Sequence, residues 1–247
     1  MNNSQPVFEA IGLTKRYEDH ALALDHVTFS VSAGEVFAML GGNGAGKTTT
    51  INLFLNFIEP TEGEARINGF ASHKEPLKAK ANVAFVSENV MLYSNFTAVQ
   101  NLEYFARLGG KNSYTRNDYH NVLQRVGLQE DAHNKRLKTF SKGMRQKCGI
   151  AIAILKDAPA ILLDEPTAGL DPQAGYEFTQ LLKSLRDDGK AILMSTHDIF
   201  RAKEVADMVG IMNRGRLVMQ ESASALAGED LERLYMKYIA GHIRDAA

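Results

Sequence analysis

The chain has 247 residues, 45% hydrophobic and 23% charged, enough for a substantial buried core arranged as one large α/β domain or two small ones. A formal net charge of −1 excludes a protein that binds nucleic acid with its whole surface, though not a local basic patch. The single cysteine, Cys148, excludes an internal disulfide and a multi-cysteine zinc site.

In chain order, residues 1–6 are polar and lack the charged and apolar regions of a signal peptide. The longest apolar stretch, residues 149–155, is far too short to span a bilayer, so the chain is expected in the cytosol and any membrane role must come through a partner. Val27, Phe29 and Val31 alternate with Thr28 and Ser30, the pattern of a half-exposed antiparallel strand, and residues 65–69 can pair with it after the turn-rich 59–63. These segments predict an antiparallel lobe over about residues 7–35 and 61–70.

Apolar runs at 36–40, 83–86, 161–163, 191–194 and 209–212 read as strands buried on both faces. Helical patterns lie between most of them. One covers 48–57. Another covers 173–186, with Asp171 placed to cap it, Pro172 in its first turn and Gly189 beyond its end. Such alternation predicts a mostly parallel sheet with helices on both faces. Strand signals stop between about residues 88 and 155, where 101–108, 119–126 and the stretch around Cys148 are helical; this reads as a helical insertion. At the C-terminus Leu231, Leu234, Tyr235, Tyr238 and Ile239 recur at helical spacing and predict a helix over about 229–240, packed on its own core or on a partner. With no repeat or flexible linker, residues 1–247 read as a single domain with lobes.

Two segments carry chemistry. Gly41, Gly42, Asn43, Gly44, Ala45, Gly46, Lys47 and Thr48 fit the P-loop pattern G-x-x-x-x-G-K-[ST], and Thr49 continues into the helix. Glycines let successive N–H groups turn inward around an anion. Lys47 supplies positive charge to the β- and γ-phosphates, Thr48 offers a hydroxyl to Mg²⁺, and the following helix points its positive end at the phosphates. Farther on, a buried strand ends in Asp164 and Glu165. In a parallel sheet that end faces the ligand crevice. Asp164 can hold the water shell of Mg²⁺, and Glu165 can orient and deprotonate an attacking water.

The order and spacing of these segments resemble the nucleotide-binding domain of ABC transporters over nearly the whole chain. Phe140-Ser141-Lys142-Gly143-Met144-Arg145-Gln146 is similar to the signature segment, usually LSGGQ; Ala168-Gly169-Leu170-Asp171 to the D-loop; His197 in Ser195-Thr196-His197-Asp198 to the switch histidine; and Tyr17 to the aromatic that stacks on adenine. The resemblance implies a P-loop ABC-type ATPase fold that uses ATP and Mg²⁺. Two ATPs would be sandwiched in a head-to-tail homodimer, with Ser141 and Gly143 facing the phosphate on the other subunit's loop. It implies catalytic roles for Glu165, His197 and Glu88, and metal ligation by Thr48, Asp164 and Glu88. It further implies a polytopic membrane permease as partner, no nucleic acid, and peripheral attachment at the cytoplasmic face of the inner membrane.

Two residues depart from the family pattern. Glu88 stands where the Q-loop usually has Gln; it can still ligate Mg²⁺ but, ionised, cannot donate a hydrogen bond. Lys142 replaces a signature glycine, and the resulting Ser-Lys-Gly-Met-Arg-Gln resembles the subgroup serving ABC-2-type exporters; a solvated side chain is the other reading of Lys142. Residues 89–104 bear a local likeness to the ATPases of copper-site maturation systems for nitrous oxide reductase. The competing function is a soluble ABC ATPase acting on ribosomes or DNA. Against it stand the single P-loop and signature and the lack of a long heptad run.

Overall fold

A computed structural model describes residues 5–18, 21–227 and 230–244. The first half comprises β1 (Phe8–Arg16), β2 (Leu22–Val31), β3 (Val36–Leu40), α1 (Lys47–Phe54), β4 (Glu62–Ile67), β5 (Phe70–Ala71), α2 (Pro76–Ala81) and β6 (Val83–Val86). Helices α3 (Ala98–Leu108), α4 (Arg116–Arg125) and α5 (Lys142–Lys156) form the expected insertion. Then come β7 (Ala160–Asp164), α6 (Pro172–Asp187), β8 (Ala191–Thr196), α7 (Ile199–Val205), β9 (Met208–Asn213), β10 (Arg216–Ser222) and α8 (Leu231–Arg244).

The main sheet runs β10-β9-β3-β8-β7-β6, parallel except for β10, which pairs antiparallel with β9 at one edge. A second, antiparallel sheet runs β2-β1-β4-β5. The two-residue side-chain period of β3 sorts its buried residues into two cores. Val36, Ala38 and Leu40 pack toward α3, α4, α5 and α6, whereas Phe37 and Met39 pack toward α1 and the antiparallel sheet. Phe29 stacks on Phe37 at 4.8 Å and Phe8 meets Phe54 edge-on at 5.5 Å, tying that sheet to β3 and α1.

Local capping sets the helix starts. Thr97 with Gln100 and Thr115 with Asp118 form reciprocal capping boxes on α3 and α4. Asp171 accepts the Ala174 N–H at 2.9 Å at the start of α6, as its position predicts.

Three expectations need correction. Residues 65–69 do not pair with β2; β1 lies between β2 and β4 and bonds both. Helix α1 stops at Phe54 rather than residue 57, because Asn56 takes a left-handed conformation (φ 51°). The C-terminal helix begins at Leu231 and runs to Arg244; residue 229 lies outside the described residues. Its predicted apolar face, Leu231, Leu234, Tyr235, Tyr238 and Ile239, packs on the chain's own core. Among the described residues no helix is long and apolar enough to cross a membrane.

Candidate functional site

Strand β3 delivers the chain into Gly41, and close packing shapes the loop that follows. A Cβ at Gly41 would lie 2.8 Å from the Met212 carbonyl and 2.9 Å from the Ala45 Cβ. Gly46 adopts φ 109°, and a Cβ there would lie 2.7 Å from Leu24. Helix α1 starts at Lys47 with no side-chain cap, so its first-turn N–H groups are left for a ligand. Lys47 is 7% exposed. Its Nζ donates to the Gly41 carbonyl at 2.6 Å and the Gly42 carbonyl at 3.3 Å, and lies 3.2 Å from Glu165 Oε1.

The two acids sit at the end of β7 beside β8. Register pairs Asp164 with Ser195, whose hydroxyl donates to Asp164 Oδ1 at 2.6 Å. Burial pushes the Asp164 carboxyl above the ordinary aspartate range; the charges of Glu165 and Glu88 add to the rise, and the Ser195 hydrogen bond and Lys47 oppose it. Glu165 turns away in a left-handed backbone conformation, φ 46°, held by its N–H donating to the Ser195 carbonyl and hydroxyl, each at 3.1 Å. Its Oε2 accepts from the His197 N–H at 3.2 Å and sits 2.9 Å from His197 Nδ1. With Nδ1 as the donor, the neutral imidazole leaves Nε2 free to accept a hydrogen bond.

A cleft of about 370 Å³ gathers Gly42, Asn43, Gly44, Ala45, Gly46, Lys47, Thr48, Thr49, Glu88, Asp164 and Glu165, with Ala23 on its rim. Gly41 supports the loop from behind, and His197 reaches the cleft through Glu165. Tyr17 is not among the lining residues; it follows β1, with Lys15 Nζ 5.3 Å above its ring. Ser141 and Gly143 lie in a separate shallow cleft with Asp171 and Ala174. Ser141 caps α5, its Oγ accepting the Met144 N–H at 3.2 Å.

The donor set suits a hard divalent cation. Thr48, Asp164 and Glu88 bring oxygen-bearing side chains to one cleft, and a cation there would favour the ionised form of Asp164 against its burial. Among the described residues no group of three or more His, Cys, Asp or Glu forms a closed metal cage.

Some site contacts were not foreseen. Lys142 is not simply solvated: its Nζ lies 3.2 Å from Glu88 Oε1. Gln146, one turn farther along α5, donates from Nε2 to the Glu88 carbonyl at 2.8 Å and the Ser87 carbonyl at 3.2 Å. Ser195 was noted only as a neighbour of His197, and only the β7–β8 register reveals it as the partner of Asp164. Cys148 is fully buried, and burial pushes its thiol up to about 12, as fits a packed core residue.

A glycine-rich loop between a parallel strand and an uncapped helix start, facing strand-end acids, defines a P-loop nucleoside triphosphatase. The helical insertion whose last helix is capped by Ser141 narrows the class to ABC-type cassettes. The family described as ABC transporter matches residues 24–168, more than half of the chain, and the chain belongs to it. Over 232 residues it is 33% identical to the ABC transporter ATP-binding protein NatA of Bacillus subtilis, covering 90% of this chain and 94% of that one. Over 240 residues it is 33% identical to the bacitracin transport ATP-binding protein BcrA of Bacillus licheniformis, covering 97% of this chain and 76% of that one. The solved dimer of the ATP-binding cassette MJ0796, in a post-hydrolysis state with ADP and Pi, superposes with a TM-score of 0.77 at 28% identity over 87% of this chain and 98% of that one.

The chain is thus an ATP-binding and ATP-hydrolysing subunit of the ABC transporter type. ABC ATP-binding subunits work as dimers and with membrane subunits. A soluble ATPase acting on ribosomes or DNA gains no support from these relatives.

Proposed function

We propose that the chain is the motor subunit of an ABC-2-type exporter. It works as a homodimer with two ATPs between the subunits, attached through a polytopic permease to the cytoplasmic face of the inner membrane. The observation that carries this reading is the division of the site. The phosphate loop, Asp164 and Glu165 share one cleft, while Ser141 and Gly143 open into another. Each chain therefore presents two half-sites, which a second copy related by two-fold symmetry completes.

In this reading the loop N–H groups and Lys47 bind the phosphates, and Tyr17 stacks on the adenine. Thr48, Asp164 and Glu88 hold Mg²⁺, which when bound neutralises charge developing on the phosphate oxygens. Lys47 is paired with Glu165 at 3.2 Å. Lys47 turning to the phosphates frees one carboxylate oxygen of Glu165. Glu165 then takes a proton from water as the water oxygen bonds to the γ-phosphorus and the bond to ADP breaks. His197 holds Glu165 through its backbone N–H, and its imidazole, turning from Glu165, donates the ring N–H to the γ-phosphate.

A groove of about 240 Å³ between residues 85–92, Phe105 and Ile152 opens beside the exposed Met91 and Tyr93. It is the docking place for a cytoplasmic helix of the permease, whose two states dimer closure would drive. Export is favoured by the likeness to a bacitracin transport protein and by the Ser-Lys-Gly-Met signature. Affinity purification of the full chain from detergent-solubilised membranes tests this. A polytopic membrane protein recovered in stoichiometric amount supports it; recovery of ribosomes, or of the chain in soluble extract alone, overturns it.

A further inference from the structure

The start of α5 grips the loop after β6 at two points. Lys142 and Gln146, four residues apart, share one helix face. Gln146 is fully buried, and its amide donates to the Ser87 and Glu88 carbonyls. Lys142 adds its charge to the Glu88 carboxylate, with Nζ to Oε1 at 3.2 Å. The Lys142 side chain also passes Gly169, where a Cβ would lie 3.6 Å from its Nζ. The lysine thus pairs with residue 88 and lies close to the turn before α6.

Glu88 belongs to two settings at once, because it also lines the phosphate cleft. That cleft holds three carboxylates, Glu88, Asp164 and Glu165, against one lysine of its own, Lys47. Lys142 therefore supplies from outside the cleft the charge that balances Glu88. A glutamine at position 88 would need no such balance, and a glycine at 142 could not provide it.

We propose that Glu88 exchanges cations: it pairs with Lys142 without nucleotide and turns to the divalent cation accompanying the triphosphate when nucleotide binds. The exchange releases the first turn of α5, where Ser141 and Gly143 lie, in step with cation binding. Lys142 is a positioning residue, acting through Glu88. The inference rests on the proposed nucleotide site and goes beyond it, because it ties metal preference to a residue outside the cleft.

The test is a double-mutant cycle on the full chain with Glu88→Gln, Lys142→Met and both together. A fluorescent ATP analogue reports dissociation constants with Mg²⁺ and with EDTA. Half-exposed ion pairs set the expected size. Lys142→Met should raise the ratio of metal-free to Mg²⁺ dissociation constants by about two- to five-fold, because Glu88 no longer leaves a partner. In the Glu88→Gln background it should leave that ratio unchanged. Amide hydrogen exchange on the chain without Mg²⁺ and nucleotide, before dimer closure can cover this face, gives a second readout: Lys142→Met should speed exchange in the first turn of α5 in the wild-type background and leave it unchanged in the Glu88→Gln background. Equal effects of Lys142→Met in both backgrounds, or no effect in the wild-type background, would overturn the exchange. Failure of the wild type to bind the analogue at all would instead overturn the nucleotide site on which it rests.

Discussion

Replacing Lys47 by alanine removes the one lysine that lines the phosphate cleft among the described residues. A hydrogen bond to a charged group contributes about 1.5–3 kcal/mol, so two phosphate contacts amount to about 3–6 kcal/mol gross. The gain is reduced because Lys47 must first leave the Gly41 and Gly42 carbonyls and Glu165, at 2.6, 3.3 and 3.2 Å. Taking about half as the net leaves about 1.5–3 kcal/mol, or roughly 10- to 150-fold weaker binding. Titration calorimetry with ATP and Mg²⁺ measures it. The same change leaves Glu165, whose side chain is 15% exposed, without its lysine, and should lower nucleotide-free stability by about 1–2 kcal/mol in denaturant unfolding. A dissociation constant within three-fold of the wild type would refute the placement of Lys47 among the phosphates.

Three further outcomes are expected. Gly46→Ala forces a Cβ to within 2.7 Å of Leu24 at φ 109°, and should destabilise the chain by about 2–4 kcal/mol in denaturant unfolding while abolishing nucleotide binding. Because Asp164 holds its proton above the ordinary 3.8, metal-dependent nucleotide binding should weaken on acidification at higher pH than an ordinary aspartate would allow, and Asp164→Asn should remove that pH dependence in the calorimeter. Lys74 and Arg66 lower the Glu64 carboxyl from 4.5 to about 2, so its stabilisation is complete above 4.5 and fades as pH falls toward 2. As its partners are exposed, Glu64→Gln should cost about 0.5–1 kcal/mol at neutral pH, with the difference closing in acid unfolding curves.

The parts legible in the sequence were those written locally. Strand, glycine loop and helix adjoin in 36–54, and the apolar run 160–163 carries its acids at its end. The cap at Asp171 is likewise local. Strand β1 falls inside the antiparallel lobe expected over about 7–35 but was not legible as a strand of its own, because register shifts between Ala10 and Leu13, and again between Leu13 and Lys15, break its alternation. Its Thr14 is buried yet polar, satisfied by the Gly12 carbonyl and the His26 N–H. Missing β1 misdirected the pairing of β2 and β4. Glu88 and Lys142 were each visible as departures, but 54 residues separate them, and only the docking of α5 on the loop after β6 joins them. Ser195 meets Asp164 solely through the β7–β8 register. Long-range pairing of this kind leaves no periodic trace. The cargo is not legible either, since the cleft residues are proposed to hold phosphate.

The most direct test of hydrolysis by a shared site is Glu165→Gln, which keeps the side-chain shape but removes the proton acceptor. Turnover should fall by about 10²–10⁴ while ATP binding persists. With Mg²⁺ and ATP, light scattering after size exclusion should show a species of twice the chain mass that is absent without nucleotide. Turnover near the wild-type rate, or a monomer at saturating ATP, would contradict the account.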